Sequence, residues 1–125
     1  MGLLGAFSGI DPSRFLKYDF KIYRGYFAEN FVAQELRSSG VSALYCWVGR
    51  TAEVEFLLET ADGIIPLEVK AGNITQSKSL RFYEERYKPG KSIVLSARNI
   101  ESRGPRLHVP IYLAGMVRKY LTIKD

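Results

Sequence analysis

Glu68 and Lys70 stand two residues apart in the apolar run Ile64-Ile65-Pro66-Leu67-Glu68-Val69-Lys70-Ala71-Gly72. The run has strand character, and side chains along a strand alternate between its faces. Glu68 and Lys70 therefore project together, while Ile65, Leu67 and Val69 pack on the other side. A carboxylate beside an ammonium is one of two things. It is a plain ion pair, or it belongs to a site where carboxylates hold a divalent cation and the ammonium polarises a phosphodiester. The second reading needs further oxygen ligands from elsewhere in the chain.

The nearest supply is the segment Ala52–Thr60, where Val54, Phe56 and Leu58 alternate with Glu53, Glu55, Leu57 and Glu59. Such alternation predicts a half-buried strand. Glu55 on that strand is either a ligand or one of several solvated carboxylates. Asp62-Gly63 is a hairpin turn signal that returns the chain as the Glu68 strand over Ile64–Ala71. Upstream, Tyr26, Phe27, Phe31, Val32 and Leu36 recur at helical spacing from Gly25 to Ser39, and Ser38-Ser39-Gly40 stops the helix. Glu29 and Glu35 both fall on the apolar arc of that helix, and periodicity does not choose between them. An unpaired carboxylate there is costly, and a cation or Lys70 relieves the cost.

The remaining elements follow the same logic. Residues 2–10 read as a short apolar helix, and Asp11-Pro12 caps a further turn that packs Phe15, Leu16 and Phe20. Ser42–Val48 is an aromatic-rich strand on which Tyr45 and Trp47 share a face, for packing or for stacking a base. After Gly72-Asn73 a helix fits Ser77–Tyr87 with Leu80, Tyr83 and Tyr87 as its inner stripe, ended by Pro89-Gly90. Ser92–Ser96 is a short buried strand and Ala97–Leu107 a polar, arginine-bearing loop. Val109–Tyr112 is a last strand, followed by a helix through Val117 and Leu121. The order α-β-β-β-α-β-β-α predicts an α/β fold with a mixed central sheet flanked by helices.

The 125 residues suffice for one domain that buries roughly two-thirds of its unfolded surface. The apolar start lacks the basic lead-in of a signal peptide and is too short to span a bilayer, so no membrane is expected. The single cysteine, Cys46, excludes an internal disulfide and fits a reducing cytoplasm, and a structural zinc site has no ligand set. His108, the only histidine, sits between Leu107 and Val109 and reads as a capped or surface imidazole. The net charge of +5 is a hint of an anionic partner such as a nucleic acid. Basic residues gather at Lys78, Arg81, Arg86, Lys88 and Lys91, then at Arg98, Arg103 and Arg106. The last three are candidate phosphate contacts. The carboxylates concentrate earlier, from Glu53 to Glu68.

The segments Gly25–Leu36, Glu53–Leu58 and Ile65–Gly72, with Ser79–Phe82, Val94–Ser96 and Val109–Leu113, resemble an uncharacterised domain family. Its members form the C-terminal part of archaeal-ATPase-like AAA proteins and are assigned to the PD-(D/E)XK nuclease superfamily. The resemblance implies a restriction-endonuclease-like fold with Glu55 and Glu68 as ligands of Mg²⁺ or Mn²⁺, Glu29 as a helical third ligand, and Lys70 as the catalytic ammonium. It alone prefers Glu29 over Glu35. It also implies that residues 1–125 are one domain of a longer chain, with an AAA-type ATPase domain on the N-terminal side. No G-x-x-x-x-G-K-[S/T] sequence occurs, so this domain holds no ATP by a P-loop. Active members carry Pro-Asp where this chain has Val54-Glu55, one methylene longer. Two functions follow: a metal-dependent deoxyribonuclease, or a non-catalytic module of the same fold that binds DNA or protein or oligomerises.

Overall fold

The computed structural model describes residues 20–61, 63–72 and 75–121. The expected apolar helix at 2–10 and the turn at Asp11-Pro12 with Phe15 and Leu16 lie outside the described residues, as do Asp62 and Asn73 of the two expected turns. Helix α1 (Phe20–Ser38) leads into three strands, β1 (Tyr45–Val48), β2 (Glu53–Thr60) and β3 (Gly63–Val69). Helix α2 (Lys78–Tyr87) then crosses to β4 (Ser92–Ser96), followed by β5 (Glu101–Arg103) and β6 (Arg106–Pro110). A 3₁₀ helix (Ile111–Met116) and one helical turn, α3 (Val117–Tyr120), complete the described chain. No helix among the described residues is long and apolar enough to cross a membrane.

All six strands form one mixed sheet in the order β1-β2-β3-β4-β6-β5. The first three are antiparallel neighbours, β3, β4 and β6 run parallel, and β5 returns antiparallel at the edge. Parallel neighbours need a crossover, which α2 supplies between β3 and β4. One face carries the main core. Leu67 and Val69, Ile93 and Leu95, and Val109 pack with Val32 and Leu36 of α1 and with Ala114 and Val117 near the end of the chain. The expected alternation on β2 is seen directly, since Val54, Phe56 and Leu58 are buried while Glu53 and Glu59 are exposed.

Three expectations need correction. The loop expected at Ala97–Leu107 is largely an edge hairpin, because Arg103 and Arg106 pair across Gly104, whose φ of +58° permits the tight turn. The last strand accordingly starts at Arg106 rather than Val109, and the sheet gains a strand. The C-terminal helix is mostly 3₁₀, with a single α turn after it. On α2, Leu80 and Tyr83 are buried as expected, but Tyr87 stays about half exposed.

The stop of α1 is built as the local sequence predicts. The Val41 N–H donates to the Leu36 carbonyl and the Gly40 N–H to that of Arg37, a Schellman ending with Gly40 at φ +107°. Val41 and Leu36 then meet in the core. A side chain at position 40 would also run into the Arg118 guanidinium, which donates to the Ser39 carbonyl. Gly40→Ala is therefore expected to cost about 1–2 kcal/mol, read as a lower urea midpoint; an unchanged midpoint would contradict this account of the helix end.

Candidate acidic site at the β2–β3 fork

Hydrogen-bond pairing between β2 and β3 runs from Thr60↔Gly63 to Phe56↔Leu67 and then ends. The next residues inward on each strand are Glu55 and Glu68. Continued register would set Val69 opposite Val54. The strands part instead, and the Val69 N–H points at the Glu55 carboxyl, 3.4 Å from Oε2. On its other side β3 remains anchored, since the Lys70 N–H donates to the Leu95 carbonyl at 2.8 Å. The sheet thus forks where Glu55 and Glu68 lie.

Glu68 is almost wholly buried, with 3% of its surface exposed. One oxygen, Oε1, is 3.2 Å from the Lys70 ammonium, whose side chain is 31% exposed. The other, Oε2, is buried and has no hydrogen-bond partner among the described residues. A buried carboxylate oxygen left unpaired is expensive, because it forfeits hydration and gains nothing in return. Lys70 offsets part of that cost from the solvent side.

Glu55 and Glu29 complete the cluster. Burial, chiefly, and then the Glu68 and Glu29 carboxylates push the Glu55 carboxyl up to about 8, against the pull of the Glu55 and Val69 N–H groups. Glu55 therefore keeps its proton at neutral pH. Glu29 shares a side-chain hydrogen bond with Glu55, so the protonated Glu55 is the donor and Glu29 the acceptor. Burial raises Glu29 as well, with Glu53 and Glu68 adding to the rise, while Glu55 and Lys70 oppose it. Glu35 lies elsewhere, packed against Gly115 of the 3₁₀ helix. The four residues Glu29, Glu55, Glu68 and Lys70 thus share one electrostatic environment. Among the described residues, however, no group of three or more His, Cys, Asp or Glu side chains is gathered as a ligand set for a metal ion.

The arginines expected to meet phosphate do not join the fork. Arg98 donates to the Thr75 hydroxyl and to Glu101, Arg103 to Glu101, and Arg106 to both oxygens of Glu84 on α2. Thr75, Gln76, Glu84, Arg103 and Arg106 line a cavity of about 360 Å³ with His108. His108 corrects the surface reading. It is buried, with Nδ1 lacking a partner among the described residues, and burial first, then Arg98, Arg103 and Arg106, keep it neutral. Sequence reasoning missed Glu53 as a contributor to the field at Glu29, and Glu84 and Glu101 as arginine partners. The Glu53/Glu55 spacing on one strand face was the available signal for the first. Nothing local signalled the other two, whose partners depend on how the hairpin meets α2.

A stability consequence follows from Glu55. Its folded-state value near 8 exceeds the ordinary carboxylate value, so between about pH 4.5 and 8 the folded protein holds the extra proton. The contribution of Glu55 to stability is thus fully present below this window and is lost as pH rises through it, with Glu29 acting in the same direction. In chelator, urea unfolding of the native chain is expected to weaken across that window, while Glu55→Gln flattens the loss. Identical pH profiles for the two proteins would remove the buried-proton account.

The family described as a domain of unknown function (DUF4143) matches residues 24–113. No curated protein and no solved structure matches the chain. The match spans the fork and most of the sheet, and the chain belongs to that family.

Proposed function

We propose that this DUF4143 member is a restriction-endonuclease-like domain that works beside an AAA-type ATPase and hydrolyses DNA phosphodiesters at the β2–β3 fork with Mg²⁺ or Mn²⁺. The observation that carries the reading is the Glu68 carboxylate, buried with one oxygen on Lys70 and the other without a partner among the described residues. A cation is the simplest group that satisfies that oxygen. Its position near the carboxyl ends of β3 and β4 is where open α/β sheets commonly hold ligands.

The donor set fits such an ion in kind. Glu68 and Glu55 would hold it, with Glu29 in reserve on α1, and hard divalent cations favour carboxylate oxygens and retained water. When bound, the cation would lower the pKa of a water and offset charge on the scissile phosphate. The chain's own residues do the rest. Glu55 must release the proton it shares with Glu29, which makes binding pH-dependent. Lys70, partly exposed at the rim, is free to turn its ammonium to the attacking water or a phosphate oxygen without leaving Glu68 unneutralised while the cation is present. The burial of Glu68 places these interactions in a low-dielectric surrounding that strengthens each of them.

A second reading, a non-catalytic DNA- or protein-binding or oligomerisation module, is favoured by one observation. The acidic side chains are not already gathered as a ligand set, and Glu68 has its ammonium partner. Calorimetry and a cleavage assay separate the two. The catalytic reading expects Mn²⁺ binding that Glu68→Ala abolishes, and Mn²⁺-dependent cleavage that Lys70→Ala lowers by about a hundredfold or more, with circular dichroism unchanged. Wild-type cleavage by Lys70→Ala would sink the role of the ammonium. Absence of Mn²⁺ binding in the native chain would leave the non-catalytic reading.

A further inference from the structure

A second feature of the same sheet end is aromatic. Trp47 on β1 meets three rings of α2: Phe82, stacked at 6.0 Å between centroids, and Tyr83 and Tyr87, edge-on at 5.5 and 6.0 Å. Tyr83 and Tyr87 lie 4.6 Å apart. Tyr83 is buried and anchors the group, and the Trp47 indole N–H donates to the Tyr87 hydroxyl at 3.2 Å. The β1–β2 turn accommodates the ring, because any side chain at Gly49 would meet the indole. Yet Phe82 and Tyr87 remain 45% and 48% exposed. A cluster serving only the core would hide them.

Around this ledge exposed Glu53 on β2, opposite Val48, is outnumbered by cations. Arg86 lies over the Tyr87 ring at 5.4 Å, and exposed Lys78, Lys88 and Lys91 line α2 and the turn after it. The acidic residues of α2 are already engaged, Glu85 with Arg81 and Glu84 with Arg106. Lys88 adopts a left-handed conformation, φ 47°, the only non-glycine residue with positive φ among those described. Glycine or asparagine is the usual choice at that position, so the chain retains an ammonium there against a backbone preference. Trp47 also pairs with Val54, the residue before Glu55, so the ledge begins one strand away from the fork.

We infer that Trp47, Phe82 and Tyr87 form a stacking platform for unpaired bases of single-stranded nucleic acid, whose phosphates are met by Arg86, Lys88 and neighbouring lysines. Exposed rings beside cations that make no ion pair among the described residues are the two parts such binding requires. Rings stack on any base, and cations follow the backbone. A protein partner of matching shape would instead need carboxylates to meet these cations. The inference rests on the nucleic-acid part of the proposed function, and not on catalysis.

Trp47 is the only tryptophan in the chain, so its fluorescence reports on the platform directly. Titration with a short oligo-dT in chelator is expected to quench it, with affinity falling steeply as salt rises. Phe82→Ser and Tyr87→Ser are each expected to weaken binding by about five- to a hundredfold, and Arg86→Glu to weaken it and shallow the salt dependence. Both aromatic positions are half exposed, so the variants should fold. Absence of quenching, or quenching that both serine variants leave unchanged, overturns the platform. So does a concentration-dependent dimer, seen by light scattering, that Phe82→Ser dissolves and oligo-dT does not, because a second copy would then be the occupant. Quenching that survives Glu68→Gln sustains the platform even without cleavage, whereas Mn²⁺-dependent cleavage without quenching removes the platform and leaves the fork.

Discussion

The parting of β2 from β3 is the constraint on which the rest depends. Had the ladder continued to set Val54 opposite Val69, the Val69 N–H would have found a backbone acceptor in place of the Glu55 side chain. Instead the fork admits a carboxyl group, and the carboxyl group takes over an N–H that the ladder abandons. A buried polar group must be satisfied by something, and here one strand's side chain stands in for its backbone. The same opening brings Glu68 beside Glu55 and lets Glu29 approach from α1.

That arrangement creates an excess of acid that the protein alone does not balance. Three carboxyl groups share one partly exposed ammonium. The folded chain resolves the excess by protonation, keeping Glu55 neutral and bonded to Glu29. In the proposed function, cation binding would be an alternative answer to the same electrostatic problem, so that protonation would control it. This differs from the opposite edge of the sheet, where Arg98, Arg103 and Arg106 are each matched by Glu101 or Glu84. There the charges close on themselves. At the fork they do not, and on the outer face of α2 the cations likewise exceed their partners.

Much of this was legible in the chain. Alternation over Glu53–Thr60 predicted β2 and its inward face, Gly40 predicted the end of α1, and the Glu68–Lys70 spacing predicted that the two groups meet, as they do at the end of β3. These signals are local, and local sterics enforce them. The β5–β6 hairpin was not legible, because arginine, serine and glycine carry little strand preference and the pairing is stabilised by neighbours remote in sequence. His108 was misread for a similar reason. Its flanking residues say nothing of the α2 and hairpin side chains that cover it. The shared face expected for Tyr45 and Trp47 failed on a register shift between them, which no periodicity argument contains. The fork itself was invisible, since the pattern of β2 and β3 continues unbroken through the residues where their pairing stops.

If the fork exchanges a proton for a cation, as proposed, metal binding releases protons. The most direct test is to titrate Mn²⁺ calorimetrically at neutral pH in two buffers of different ionisation enthalpy. The account predicts heats that differ between buffers by the equivalent of about one proton released per ion bound, and a difference lost in Glu55→Gln. Binding heats that are the same in both buffers would mean that Glu55 holds no proton for the cation to displace, and would contradict the account.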